Sequence, residues 1–377
     1  MKVLIIGGTG ILSLDFLILA AQKHEVYVLN RNHKPELLPC NVNFICADIR
    51  DSQKVAYLIK DLKVDVIVDF LSFNKEQLKN TLDCFKNKFD HYIFISSADV
   101  YNRFGNNVIS ELTDKPNLNW DYGIDKEVAE SFLRQDALVN NYHYTIVQPY
   151  ITYGKTRIPY GLSPMHYKHY TLIFRIKAGK PLLCWDMLGD IRCTLMHTRD
   201  FAFNLEQMLL NKKVFNSTFL LTGEFIYTWK EVCEKLYDII DKEKNIVFVN
   251  AKDIIKIAPM YKGILLGDRN ISAVFDNSKI KKMINYQCYI DLDYGLNDTL
   301  SFYANNNFMD GVDFQFDAII DRIIAKNNNA KDTKMLHFID YIETATIKDR
   351  LIYFVYRYFP FQFVQIALRF FKGIVPR

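Results

Sequence analysis

Lys2-Val3-Leu4-Ile5-Ile6-Gly7-Gly8-Thr9-Gly10-Ile11-Leu12-Ser13 is the most informative stretch of the chain. An apolar β-forming run meets a cluster of glycines, and a stretch with helical spacing, Ile11–Lys23, follows at once. Glycines at 7 and 10 permit a tight turn and let a pyrophosphate approach the backbone. The helix N-terminus behind them offers unpaired N–H groups and the positive end of its dipole. A glycine pattern alone is a weak signal, but between a strand and a helix it predicts a dinucleotide phosphate site over Gly7, Gly8, Thr9, Gly10, Ile11 and Leu12. Ser13 stands where a third glycine is usual and is small enough for close helix–sheet packing. The competing reading is a glycine-rich turn that holds nothing.

The alternation continues downstream. Apolar runs at Glu25–Leu29, Val42–Cys46, Val64–Asp69, Tyr92–Ser96 and Tyr144–Gln148 are separated by helically spaced stretches at Ser52–Leu62, Lys75–Lys88 and Ile124–Val139. Continuous apolar strands between helices predict a doubly wound α/β domain with a parallel sheet over residues 1–150. After Pro149 the pattern loosens. Helices over Tyr167–Ala178, Arg199–Leu210 and Thr228–Asp241, with strands at Thr218–Leu221 and Ile246–Val249, predict a smaller α/β substrate domain over 151–304. That domain is expected to lie over the carboxyl ends of the sheet strands, with some segments returning to the first. Lys326–Lys334 reads as a polar linker inside a helical extension, 305–377.

Composition narrows the function. At 50% hydrophobic and 24% charged, the 377 residues can bury a large core, which argues against disorder. A net charge of +4 is too small for a dedicated DNA binder. The seven cysteines form no Cys-x-x-Cys, so neither a disulfide framework nor a cysteine-rich zinc site is indicated. No secretory signal or bilayer-length apolar run is recognisable, and a reduced, cytoplasmic protein is expected. The end of the chain differs: past Asp349 no acid occurs, while Arg350, Arg357, Arg369, Lys372 and Arg377 are interleaved with aromatics. This is the pattern of a membrane-surface contact or of a helical hairpin whose aromatic face packs on the body or on a second subunit. Pro360 prevents a single straight helix.

The second strand ends at Leu29-Asn30-Arg31. An NAD-selective site places an acid here for the ribose 2′-hydroxyl. Asn30 followed by Arg31 instead favours a 2′-phosphate, so NADP(H) is expected over NAD(H), unless Arg31 is only a solvated loop charge. Asp48, with Ile49, is placed to meet the adenine edge. Further on, Ser96-Ser97-Ala98-Asp99 ends a strand, and Tyr122 and Lys126 are four apart, sharing one face of a helix. A phenol with an ordinary pKa near 10 is a poor base at neutral pH. A neighbouring ammonium and a positive nicotinamide both favour its phenolate. Ser97 can hold the same substrate oxygen in line for transfer.

GGTGILS, ADIRD, FISSADVY, YGIDK, QPYITYG, MHTRDFA, FLLTGEFIYTWKEV and FDNSKIKKM, in this order over residues 1 to 304, resemble the extended short-chain dehydrogenase/reductases of the NAD-dependent epimerase/dehydratase group. The resemblance implies a Rossmann-type domain in which Tyr122 is the acid or base, Lys126 holds the nicotinamide ribose and Ser97 orients a sugar hydroxyl. It also implies that Phe70, Leu71, Ser72 and Ser96, and Pro149 to Ile151, line the cofactor site. Arg192 is similar to a family arginine that binds a nucleotide diphosphate, with an ordinary surface charge as the other reading. Related 4,6-dehydratases carry Thr-Asp-Glu where this chain has Ser97-Ala98-Asp99. Ala98 cannot protonate a leaving hydroxyl, so dehydration is disfavoured, while Asp99 remains a possible base beside the substrate.

The expected activity is therefore that of an epimerase or 4-keto reductase on a nucleotide-activated sugar, working as a homodimer. Relatives that bind RNA stem-loops on this scaffold make an RNA-binding or NADP(H)-sensing protein the alternative. His166 and His169 form a His-x-x-His without accompanying carboxylates, and no metal site is expected.

Overall fold

The computed structural model describes residues 1–32, 38–165, 167–304, 311–327 and 346–359. Two compact units emerge. The first comprises Met1–Gly154, Arg192–Tyr227 and Ile271–Gly295, and the second Lys155–Ile191, Thr228–Asn270 and the described residues from Leu296 on.

The first unit is built on seven parallel strands. In chain order they are β1 (Lys2–Ile6), β2 (Glu25–Asn30), β3 (Val42–Cys46), β4 (Val66–Asp69), β5 (His91–Ile95), β6 (His143–Gln148) and, after three strands outside this sheet, β10 (Ser217–Leu220). Those three are β7 (Ile151–Tyr153), β8 (Leu182–Cys184) and β9 (Arg192–His197). The sheet order is β10-β6-β5-β4-β1-β2-β3, confirming the doubly wound architecture. Alternation along each strand divides its side chains between two cores. Val3, Ile5, Val26, Val28, Val66 and Val68 pack with Phe16 and Leu17 of helix α1 (Ile11–Lys23). Leu4, Ile6, Leu29 and Ile67 pack with residues of helices α2 (Ser52–Leu58), α3 (Lys75–Cys84) and α4 (Asp121–Asn140) on the other face.

Between β1 and β4 the winding reverses. From β1 the chain proceeds to β2 and β3 on one side, whereas β4, β5 and β6 lie on the other. A crevice forms at the carboxyl end of such a switch point because the two neighbouring loops leave in opposite directions. Gly7 follows β1 and Phe70 follows β4 here, and the Phe70 N–H donates to the Ile6 carbonyl at 3.0 Å.

The helical stretch over 199–210 and the strand over 218–221 were expected in the smaller domain. They belong to the first unit: helix α6, Thr198–Glu206 after α5 (Tyr170–Lys177), packs on α1, and β10 extends the sheet by pairing with β6, Ser217 opposite Thr145. Apolar spacing reveals an element but not the neighbour it pairs with.

The second unit pairs β8 with the strand Ile246–Phe248 in parallel. Its helices include α5, Trp229–Ile240 and two near the end of the chain, Phe314–Asn327 and Ile347–Tyr358. A buried ion cluster joins α5 and the residues just after it to the helix Phe314–Asn327. Arg175 pairs with Asp317 and, at 2.9 Å, with Asp321, while Lys180 reaches Asp317 at 2.7 Å and Asp321 at 2.5 Å. Burial alone would raise the Asp321 carboxyl, but Arg175 and Lys180 hold it far below its ordinary range. The linker expected at 326–334 lies largely outside the described residues, as do His166 and the tail from Pro360.

Candidate active site

The glycine turn is held by a residue the sequence offered only as a substitute. Ser13 Oγ donates to the Gly7 carbonyl at 2.6 Å and accepts from the Gly10 N–H at 2.8 Å. Its hydroxyl thus clips the two ends of the turn together. Gly7 has φ +86°, a left-handed conformation, and a Cβ there would collide with Leu71. Gly8 packs against Val28, so the turn sits directly on the sheet.

Beside it, Asn30 is buried and donates to Thr9 Oγ1 at 3.1 Å. Arg31 is exposed, its Nη1 3.9 Å from Asp48 Oδ2. Asp48 is claimed by a residue the sequence reading passed over. Arg50 grips it in a fork, Nε 3.0 Å from Oδ1 and Nη2 2.6 Å from Oδ2. Those bonds from Arg50 hold the Asp48 carboxyl down at about 2. Arg31, Asp48, Ile49, Arg50, Leu71, Ser72 and Phe73 line an open cleft. Asp69 fixes the loop that forms its other wall, its Oδ1 accepting from the Leu71 N–H at 2.8 Å and the Ser72 N–H at 3.1 Å. Phe70 turns its ring toward Phe16 of α1, 6.0 Å away.

Helix α4 presents Tyr122, Lys126 and Glu130 at four-residue intervals, one stripe facing the end of β5. Lys126 is buried. Its Nζ donates to the Ser72 carbonyl at 2.8 Å and the Ile95 carbonyl at 2.9 Å, and lies 4.9 Å from the Phe73 ring and 4.8 Å from the Phe94 ring. Burial pulls the ammonium down to about 8, against the opposing pull of Asp69 and Glu130. An ammonium has three N–H donors, and carbonyls take two of them. Phe73 also touches Tyr122, ring centroids 6.4 Å apart, so one aromatic ring spans both residues. Trp120 packs on the phenol's ring at 5.0 Å.

The approach of α4 to the strand end depends on Gly123. A Cβ there would collide with the Asp99 carbonyl oxygen, so any other residue would push the helix off the turn Ala98–Val100. Ser97 caps that turn. Its Oγ accepts from the Asp99 N–H at 3.2 Å and donates to Asp99 Oδ2 at 3.0 Å, and Arg103, fully buried, reaches Asp99 Oδ1 at 3.4 Å. Ser96 points differently because neighbours on a strand alternate. Its hydroxyl donates to Glu130 at 2.6 Å, so its hydrogen is directed away from the cleft. Glu130 also accepts from Gln148 at 2.6 Å and from Lys115 and Arg134 at 2.8 Å each. Burial would raise this carboxyl, but Lys115 and the other donors hold it below its ordinary range.

The Pro149 carbonyl accepts from the Ala98 N–H at 2.8 Å, and Ile151 is buried, paired in register with Leu195 of β9. Arg192 begins β9 with its side chain exposed and its N–H on Ser272 Oγ at 3.1 Å. It makes no hydrogen bond to Ser97, Tyr122 or Lys126 among the described residues. Those residues contain no group of three or more His, Cys, Asp or Glu able to hold a metal ion.

Comparison with known proteins identifies the fold and the family. Over 253 residues the chain is 24% identical to the 2'-dehydrokanamycin reductase of Streptomyces kanamyceticus, covering 67% of this chain and 70% of that one. A dTDP-glucose 4,6-dehydratase from Bacillus anthracis, solved with NAD, superposes with a TM-score of 0.67 at 18% identity, over 82% of this chain and 98% of that one. A UDP-glucuronic acid 4-epimerase from Bacillus cereus, solved with UDP-glucuronic acid and NAD, gives 0.66 at 17% identity, over 81% and 99%. These structural likenesses concern the fold. The model of the NAD dependent epimerase/dehydratase family matches residues 3–217, more than half of the chain, and the protein belongs to that family.

Proposed function

We propose that the protein exchanges hydride at carbon 4 of a nucleotide-activated sugar, as an epimerase or a 4-keto reductase, with Tyr122 as the proton donor or acceptor. The observation that carries this reading is the stripe of Tyr122 and Lys126 against the Ser97 strand end, with Phe73 touching both side chains. The cleft with its glycine turn suits a nicotinamide dinucleotide, which when bound supplies the hydride donor and acceptor. Lys126 would hold the cofactor's ribose with its remaining N–H and would favour the Tyr122 phenolate. Ser97 holds the sugar oxygen in line, and Ala98 supplies no acid for dehydration. Arg31 and Arg50 at one end of the cleft support NADP(H), and with it net reduction.

The test is turnover of a panel of UDP- and dTDP-sugars and their 4-keto forms, followed by nicotinamide absorbance and product NMR. Tyr122→Phe is expected to abolish turnover while cofactor affinity stays within about threefold. Undiminished turnover in that variant removes Tyr122 from the mechanism.

A further inference from the structure

The helix Ile347–Tyr358 is amphipathic in two opposed senses. Tyr353 and Tyr356 face inward: the Tyr353 hydroxyl donates to Asp321 at 2.6 Å, and its ring lies 5.2 Å from Lys180 Nζ. Arg322 donates to the Tyr356 and Phe359 carbonyls, capping the helix end. The helix is therefore fastened to the helix Phe314–Asn327 along one side.

The opposite side carries Ile347, Leu351, Phe354 and Tyr358, with relative exposures of 78%, 50%, 45% and 55%. Their 4-3-4 spacing confines them to an arc of about 60° at 100° per residue. The Phe354 ring contacts Tyr358 at 5.2 Å and Phe359, also exposed, at 5.9 Å, so the stripe is contiguous. Scattered exposed apolar residues need no explanation, but a continuous stripe on a fastened helix does.

We propose that this stripe is a docking surface for an anionic lipid membrane. Charge decides the kind of partner. Arg350 and Arg357 flank the stripe on one side and Lys348 on the other, each about 70–90° from its centre. The helix's acid, Asp349, lies toward the packed side, where its carboxylate closes a capping box with Thr346. A basic rim around an apolar stripe complements an anionic headgroup layer, whereas a second copy of the same face would meet it with like charge. Twelve residues of helix span about 18 Å, short of the roughly 30 Å hydrocarbon layer, so the helix lies in the plane of the interface. No described helix is long and apolar enough to cross a membrane.

Sedimentation of the full chain with vesicles tests this without reference to catalysis. Binding to phosphatidylcholine vesicles containing phosphatidylglycerol is expected to exceed binding to phosphatidylcholine alone on the order of 100-fold, three basic residues each contributing about fivefold. High salt is expected to weaken it. Leu351→Glu with Phe354→Glu is expected to weaken it at least about tenfold while circular dichroism and melting temperature are unchanged, since both side chains are exposed. The proposal is overturned if the wild-type chain stays in the supernatant, if the double variant binds as well as wild type, or if neutral vesicles bind equally. It is overturned equally if the double substitution abolishes self-association or RNA binding and wild type ignores vesicles.

Discussion

Asp99 holds the hydroxyl of Ser97 from two sides, its carboxylate accepting the hydroxyl hydrogen at 3.0 Å and its own N–H donating back to the oxygen at 3.2 Å. The serine hydrogen rests on the carboxylate in the free protein, and the oxygen's remaining lone pair is open to a substrate hydroxyl. Buried Arg103 approaches the other carboxylate oxygen, Nη2 3.4 Å from Oδ1.

Removal of this carboxylate releases Ser97 to rotate. Asp99→Asn is expected to lower kcat about 10- to 100-fold, the worth of a hydrogen bond to a charged group, with the cofactor dissociation constant unchanged. Asp99→Ala also leaves the buried Arg103 short of its carboxylate and is expected to lower the melting temperature as well. A full-activity Asp99→Asn enzyme would show that Ser97 needs no such holding.

Lys126 makes stability depend on alkaline pH. Its folded value of about 8 lies below the ordinary 10.5, because burial disfavours the ammonium. Between those values the unfolded chain binds more protons, so stability rises with pH across that window and the cost of burying the charge is fully present below pH 8. The gap amounts to about 3 kcal/mol. Unfolding in urea at pH 7 and pH 10.5 is expected to show wild type gaining up to about that much relative to Lys126→Met, a variant without turnover. A pH-independent difference between the two proteins would rule out a depressed lysine.

Much of this site was readable because its parts are local. The apolar runs of β1, β4 and β5 are buried on both faces, so they stand out as uninterrupted hydrophobic stretches, and the helical spacing of Tyr122 and Lys126 gains weight beside the glycine turn and the serine strand end. What was not readable depends on distant partners. Glu130 continues the same four-residue spacing, yet its role comes from Lys115, Gln148 and Ser96, which approach through the fold. Gly123 matters because the Asp99 carbonyl, distant in sequence, lies against it. Ser13 was read as a tolerated stand-in for glycine, whereas its hydroxyl is what closes the turn.

The arginine pair at the cleft leads to a test of cofactor choice. Arg50 is bound by Asp48 in a fork, while Arg31 stands at 3.9 Å from the same carboxylate and is the freer to meet a 2′-phosphate. Arg31→Ala is expected to weaken NADPH binding about 10- to 100-fold and to leave NADH binding within about threefold, as read by fluorescence titration. Asp48→Asn is expected to sharpen the preference for NADPH by releasing Arg50. Equal losses for both cofactors in Arg31→Ala would mean that the 2′-position lies elsewhere.

His91 ties the fold to acid sensitivity. It is buried at the start of β5, its Nδ1 accepting from the Leu210 N–H at 3.3 Å and its Nε2 at 2.8 Å from Thr145 Oγ1. Since the Thr145 hydroxyl donates onward to the Val214 carbonyl at 2.9 Å, the Nε2 carries the proton and the ring is neutral. Burial, with His143 nearby, lowers the ring to about 3 from the ordinary 6.5. Below pH 6.5 the unfolded chain binds a proton that the folded chain refuses, so stability is complete above that pH and drains away as pH falls toward 3. By pH 5 the loss from this group is about 2 kcal/mol. His91→Gln removes the titration but keeps an amide able to reach the same partners. Its unfolding free energy, measured in urea, is expected to fall about 2 kcal/mol less than that of wild type between pH 7 and pH 5. Parallel losses in the two proteins would place the acid-labile group elsewhere in the sheet.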